Sequence, residues 1–167
     1  MIGLHQINTA LGPVQAAFDA EAAVIYLGFA DHEFRTPLLA KLARIAPAMR
    51  PDAVAIARLR DQLDAYARGQ LRTFDIPFRL HGSPFEQRVW AALQRIPFGE
   101  IRSYGQLARE LGDPNLSRAV GRANGANPVS ILVPCHRVIG ANGTLTGYAG
   151  GLARKERLLR LEGALRD

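Results

Sequence analysis

The only cysteine of the chain, Cys135, is preceded by Pro134 and followed directly by His136 in the stretch ILVPCHRVIG, residues 131–140. A thiol with an ordinary pKa near 8.5 costs about 2 kcal/mol to ionise at pH 7, so it becomes a nucleophile only with help. An imidazole that is itself held by a carboxylate gives that help by taking up the proton. Consecutive side chains often point apart, so a water between Cys135 and His136 would complete the proton path. Glu162 is the candidate to orient the ring. Pro134 restrains the backbone here, and Asn127 is placed to hydrogen-bond across the turn that leads in. The competing reading is a buried, inert thiol beside a solvated histidine, because free cysteines are commonly buried.

Other residues carry a second, separable chemistry. Arg118 lies early in a run of small residues and is long enough to enter a base stack; otherwise it is a surface charge. Ala119, Gly121 and Ala123 offer little to base edges but permit close backbone approach, which suits a narrow groove. Tyr104 is either a core aromatic or a phenol presented to a ligand. Tyr148 sits in GYAGG, residues 147–151, a loop able to hold a flat ligand or a plain glycine connection.

The elements that must position these residues are announced by their caps. SPFE at 83–86 is a capping box with Ser83 as N-cap, Pro84 in the first turn and Glu86 reaching back. Phe85, Val89, Trp90 and Leu93 then make the buried face of a helix that stops before Pro97. SYGQ at 103–106 repeats the device and opens a short helix that Gly112 closes. After the turn GDPN, residues 116–127 read as a small-residue helix ending near Gly125. Two short helices joined by a tight turn read either as a helix-turn-helix or as a plain structural helix pair. A last helix, 152–163, turns Leu158, Leu159 and Leu161 inward and stops at Gly163.

The N-terminal half, residues 1–80, reads as a supporting α/β domain. Residues 22–34 read as a strand or hairpin piece. Residues 38–49 and 53–69 have helical spacing; Ile56, Leu59, Leu63 and Tyr66 make one stripe, and Gly69 is the stop. Residues 72–80 read as a strand, with Pro77 favouring an edge. The expected fold class is therefore α/β: a small sheet with flanking helix, then a mostly α-helical C-terminal domain from residue 81 to 167.

Composition bounds the function classes. Apolar residues make up 48% of the 167, which fits an ordinary globular chain. A single cysteine excludes an internal disulfide and a thiolate zinc site built from this chain alone. The start, MIGLHQINTALGP, lacks a signal-peptide pattern, and no apolar run approaches a membrane span, so a cytoplasmic protein is expected. The formal charge is +6, and residues 81–167 hold 12 basic against 7 acidic side chains, which is +5 of that excess. Arginine outnumbers lysine 19 to 2, and its planar fork suits phosphate oxygens.

Taken together, NPVSILVPCHRVIG (127–140), SYGQLA (103–108), RAVG (118–121), GYAGG (147–151) and LEG (161–163) resemble the O6-alkylguanine-DNA alkyltransferases, also called methylated-DNA–protein-cysteine methyltransferases. The resemblance covers about residues 83–163. It implies direct, irreversible, single-use transfer of an alkyl group from O6-alkylguanine in duplex DNA to Cys135, with O4-alkylthymine as a second candidate substrate. The damaged base would be flipped out of the duplex. It also implies roles for individual residues. Arg118 would fill the vacated stack; Tyr104 would crowd the phosphate and protonate the departing guanine; His136, through water and with Glu162 behind it, would generate the thiolate. Asn127 would brace the turn between recognition helix and active-site strand. Backbone groups around Val138 and Ala149, with Tyr148 stacking nearby, would hold the base. Ser103, Ala119 and Gly121 would line the DNA face, and Arg122, where some members carry glycine, would reach a phosphate. No cofactor is needed, since the protein is itself the acceptor. No N-terminal zinc site is expected, because no cysteine lies there. The expected form is a stand-alone repair protein, monomeric and able to cluster on DNA. A helix-turn-helix lesion sensor that removes nothing and a Cys-His hydrolase are the rival readings.

Overall fold

The computed structural model describes residues 3–31, 36–45, 49–145, 147–148 and 151–165. The chain divides into two compact units, Met1–His81 and Gly82–Asp167.

In the first unit, β1 (His5–Thr9), β2 (Gly12–Phe18) and β3 (Val24–Phe29) form an antiparallel sheet in sequence order. Thr9 pairs with Gly12 across a tight hairpin, where Gly12 takes a φ of 110° that suits glycine. β3 is buried along its whole length, which is why its apolar run is readable. β1 and β2 were not anticipated: only Ile7 of β1 is buried, and β2 mixes Gly, Pro, Gln and Ala with few β-branched residues.

α1 (Thr36–Ile45) lays Leu42 against Ala17, Ile25 and Tyr26. Of the helix expected over 38–49, residues 46–48 lie outside the described residues. α2 (Ala53–Ala67) starts from Asp52, whose side chain accepts from the Ala55 amide, and buries Leu59, Leu63 and Tyr66. Ile56 of the expected stripe is half-buried.

The strand expected over 72–80 does not form. Only Phe78 bridges to Val24, through hydrogen bonds from the Val24 amide to the Pro77 carbonyl and from the Arg79 amide to the Val24 carbonyl. Pro77 has no N–H to extend the ladder. Just before it, Gln62 of α2 captures the Asp75 backbone on both sides, its Oε1 accepting from the Asp75 amide at 2.8 Å.

In the second unit, α3 (Pro84–Gln94) carries the full capping box, with Ser83 and Glu86 satisfying each other's backbone amides. Val89, Trp90, Ala92 and Leu93 are buried, while Phe85 is half-buried. Gly82 lets the Trp90 ring lie across the chain, since a β-carbon at 82 would come within 2.3 Å of it. β4 (Arg102–Ser103) leads straight into α4 (Tyr104–Glu110), again opened by a capping box, here Ser103 with Gln106. Gly112, at φ 101°, turns the chain into a 3₁₀ turn at Pro114–Leu116 and then α5 (Ser117–Gly125). The Trp90 indole donates to the Ala123 carbonyl at 2.8 Å and ties α3 to α5. β5 (Val138–Ile139) pairs in parallel with β4. α6 (Leu152–Leu161) buries Leu158 and Leu159; Leu161, expected inward, is half-buried, and Lys155 is buried instead. No helix among the described residues is long and apolar enough to cross a membrane.

Candidate active site

Cys135 lies in a 3₁₀ turn, Cys135–Arg137, rather than in the strand expected there; the strand begins at Val138. Pro134 before it adopts φ −82° and ψ 64°, and the Arg137 amide closes the turn on the Pro134 carbonyl at 3.1 Å. The approach is tight. Ile131 has a φ of 74°, which a β-branched residue adopts only at a cost on the order of 1–3 kcal/mol. Asn127 holds the loop in that shape: its amide donates to the Val133 carbonyl at 2.9 Å, and its carbonyl oxygen accepts from the Val129 amide at 3.1 Å.

Behind the turn is a buried charge network. His136 is fully buried, and its Nε2 lies 2.8 Å from Glu162 Oε2. Arg137 donates to both Glu162 oxygens, at 2.8 and 3.0 Å, and to the Ile96 carbonyl at 2.6 Å, with the Phe98 ring beneath its guanidinium. A carboxylate so engaged by a guanidinium is an acceptor, so the Nε2–H of His136 donates to it. Burial pulls the His136 pKa down from its usual value, against the opposing pull of Glu162. The ring is therefore neutral near pH 7, and Nδ1 is left as an acceptor with no protein hydrogen bond among the described residues. That is the electronic state of a general base.

Lys155, from α6, is fully buried and donates through Nζ to the Val138 carbonyl. Its ammonium titrates at about 8, lowered by burial and raised by the Cys135 thiolate. Val138 itself is buried in β5, and Tyr148 is 8% exposed. Ala149 lies outside the described residues.

A second cluster forms around Tyr104. The residue is half-buried at the start of α4, and a β-carbon at Gly121 of α5 would sit 3.9 Å from its ring carbons. A β-carbon at Gly147 would meet its hydroxyl at 3.6 Å. α4, α5 and the glycine loop thus converge on one phenol. Arg118 and Arg122 are exposed on α5, with Ala119 and Gly121 half-buried between them. Ala119 and Arg122 line an open cleft of about 300 Å³ with Phe85 and Glu86. Ser103 spends its oxygen on the Gln106 amide and lines another cleft, of about 340 Å³, with Arg102 and Arg109.

Sequence reading passed over Arg137, Lys155 and Asn124. For Lys155 and Asn124, helix spacing marks burial but not role. Lys155 is one of two lysines in the chain, and it lies three and four residues before the inward Leu158 and Leu159, hence on the same helix face. Asn124 stands four residues after the buried Val120, a polar residue on an apolar stripe.

Residues 84–164 match the family described as 6-O-methylguanine DNA methyltransferase, DNA binding domain. A methylated-DNA–protein-cysteine methyltransferase of Mycolicibacterium paratuberculosis is 52% identical over 135 residues, covering 77% of this chain and 82% of that protein. One of Salmonella typhimurium is 46% identical over 163 residues, covering 96% and 95%. The fold is similar to the crystal structure of a Mycobacterium tuberculosis O6-methylguanine methyltransferase, with a TM-score of 0.81 at 42% identity over 98% of this chain and 94% of that one. It is also similar to the crystal structure of Mycobacterium tuberculosis OGT in complex with DNA, with a TM-score of 0.81 at 44% identity over 96% and 92%. A relationship that runs nearly end to end in sequence and in fold, and includes the cysteine-bearing half, means that this chain belongs to the methylated-DNA–protein-cysteine methyltransferase family.

Proposed function

We propose that the chain repairs DNA by moving the alkyl group of O6-alkylguanine in a duplex onto the sulfur of Cys135, once per molecule. The observation that carries this reading is the buried row Cys135, His136, Glu162 and Arg137, which presents a neutral imidazole with a free acceptor nitrogen beside the thiol's own turn. His136 takes the thiol proton through a bridging water, and the buried Lys155 ammonium favours the thiolate. The thiolate attacks the alkyl carbon from the side opposite the guanine oxygen. A carbon–sulfur bond forms as the carbon–oxygen bond breaks, and the electron pair stays on the guanine. Tyr104 supplies the proton that lets the base leave neutral. A thioether has no leaving route under these conditions, so Cys135 is not regenerated.

Access requires extrusion of the damaged base, which costs a few kcal/mol of stacking and pairing. α4 and α5 act as the helix-turn-helix that meets the groove. Arg118 enters the vacated stack, Ala119 and Gly121 let the backbone come close, and Ser103 and Arg122 contact the strand. Val138, Tyr148 and Ala149 border the extruded base. O4-alkylthymine presents the same alkyl–oxygen linkage and is a second substrate of this site. The reactive, single thiol suits a reducing cytoplasm. The lesion-sensor reading has no use for a buried base and carboxylate behind a thiol.

A duplex carrying tritiated O6-methylguanine separates the readings. Label moves to the protein under this proposal, is bound without transfer by a sensor, and is ignored by a hydrolase. Arg118→Ala then tests the docking half: repair in duplex falls at least tenfold while reaction with a free O6-alkylguanine base stays within about twofold. Equal losses on both substrates would remove the finger role.

A further inference from the structure

We propose that Asn124 is a positioning residue for the nucleophile, through which α5 holds the backbone of Cys135. Asn124 is 2% exposed in the last turn of α5, and its Nδ2 donates to the Cys135 carbonyl at 3.3 Å. Three residues on, Asn127 holds the Val133 carbonyl at 2.9 Å. The two amides therefore grip the carbonyls on either side of Pro134, the one residue there with no N–H to anchor itself. The turn that carries Cys135 has no side-chain cap of its own, so these outside contacts join the anchoring of His136 and Arg137 on Glu162 in setting its orientation.

The second half of the Asn124 amide points to the same role. Its Oδ1 is buried and has no hydrogen-bond partner among the described residues. An apolar side chain would fill this place on the stripe with Val120 and Ala123 without stranding a polar atom. What the asparagine adds is the donor to Cys135. Arg118 lies in the first turn of the same nine-residue helix, so the helix that meets DNA also holds the thiol's backbone, and a shift of α5 on docking passes to the sulfur.

The inference rests on Cys135 being the alkyl acceptor, and its test uses the intact protein with O6-benzylguanine as the free base, so that DNA docking plays no part. Asn124→Ala should react about tenfold more slowly, with the same loss on duplex DNA, unlike Arg118→Ala. Asn124→Asp keeps the shape but donates only while protonated. Burial raises a carboxyl pKa, so this variant should match wild type within about threefold at pH 6. It should then fall progressively behind as pH rises to 9 and the introduced carboxyl ionises and ceases to donate. His136, Glu162, Arg137 and Lys155, the ionisable groups around the turn, are unchanged in both variants.

Reaction of Asn124→Ala within twofold of wild type would overturn the inference. A slow Asn124→Ala combined with a flat ratio of Asn124→Asp to wild type across pH would overturn it as well, since a fold defect alone gives that pattern. If Asn124→Ala fails to fold, the Asn124→Asp profile decides by itself. Absence of any alkyl uptake by wild type would instead sink the acceptor reading on which this rests.

Discussion

Among individual residues, the reaction depends on how a thiol is ionised inside a protein. Cys135 is 2% exposed, and burial alone opposes a thiolate. The buried cation Lys155 and the neutral base His136 offset that. Lys155 titrates at about 8, so it carries its charge below that pH and gives it up above. In wild type the alkylation rate should rise with pH to near 8 and then level as the cation is lost. Lys155→Met should be about tenfold slower at pH 7, one pKa unit's worth, and should regain ground steadily at higher pH. Parallel pH–rate curves would show that the ammonium does not act on the sulfur. Glu162→Gln addresses the same network through stability. It leaves the buried Arg137 guanidinium without its carboxylate, and breaking such a pair costs about 3–5 kcal/mol, readable as a shift in denaturant midpoint. How legible were these residues? Cys135, His136 and Glu162 could be named because a nucleophile needs a base and a base needs an orienter. Lys155 and Asn124 could not, because their roles depend on which backbone carbonyl lies across from them, and neither residue type announces that.

At the scale of elements, the second unit was readable because its helices carry their own boundaries. Ser83 with Glu86 and Ser103 with Gln106 are local devices, and local devices survive in sequence. The pair α4 and α5 is tied to α3 by the Trp90 indole on the Ala123 carbonyl and by the Arg88 guanidinium on the Leu111 carbonyl at the end of α4. Trp90→Phe keeps most of the apolar surface and loses the indole bond along with some volume, so it should cost about 1–3 kcal/mol in an unfolding titration. No change would mean that α5 is held by other packing. The first unit was less readable for the converse reason. β1 and β2 lean on hairpin pairing rather than on their own residue preferences, and residues 72–80 have the composition of a strand but are drawn off by Gln62 of α2. Pairing between segments leaves little mark on the composition of either segment alone.

At the scale of the whole molecule, the +6 charge and the arginine excess of residues 81–167 supply attraction to DNA of any sequence, which weakens with salt. Specificity then lies in the chemistry that follows docking. Under the proposed function a base is extruded, Cys135 accepts its alkyl group, and no group of the network among the described residues offers a way to remove it. The protein is consumed as a reagent, and that is the central claim. Mass spectrometry of the protein after incubation with an excess of O6-methylguanine duplex tests it most directly. The expected result is a gain of one methylene in mass, located on the peptide that holds Cys135, with a plateau at one methyl per molecule and none on Cys135→Ser. Repair that continues past one equivalent, or methyl found on the Cys135→Ser protein, would contradict it.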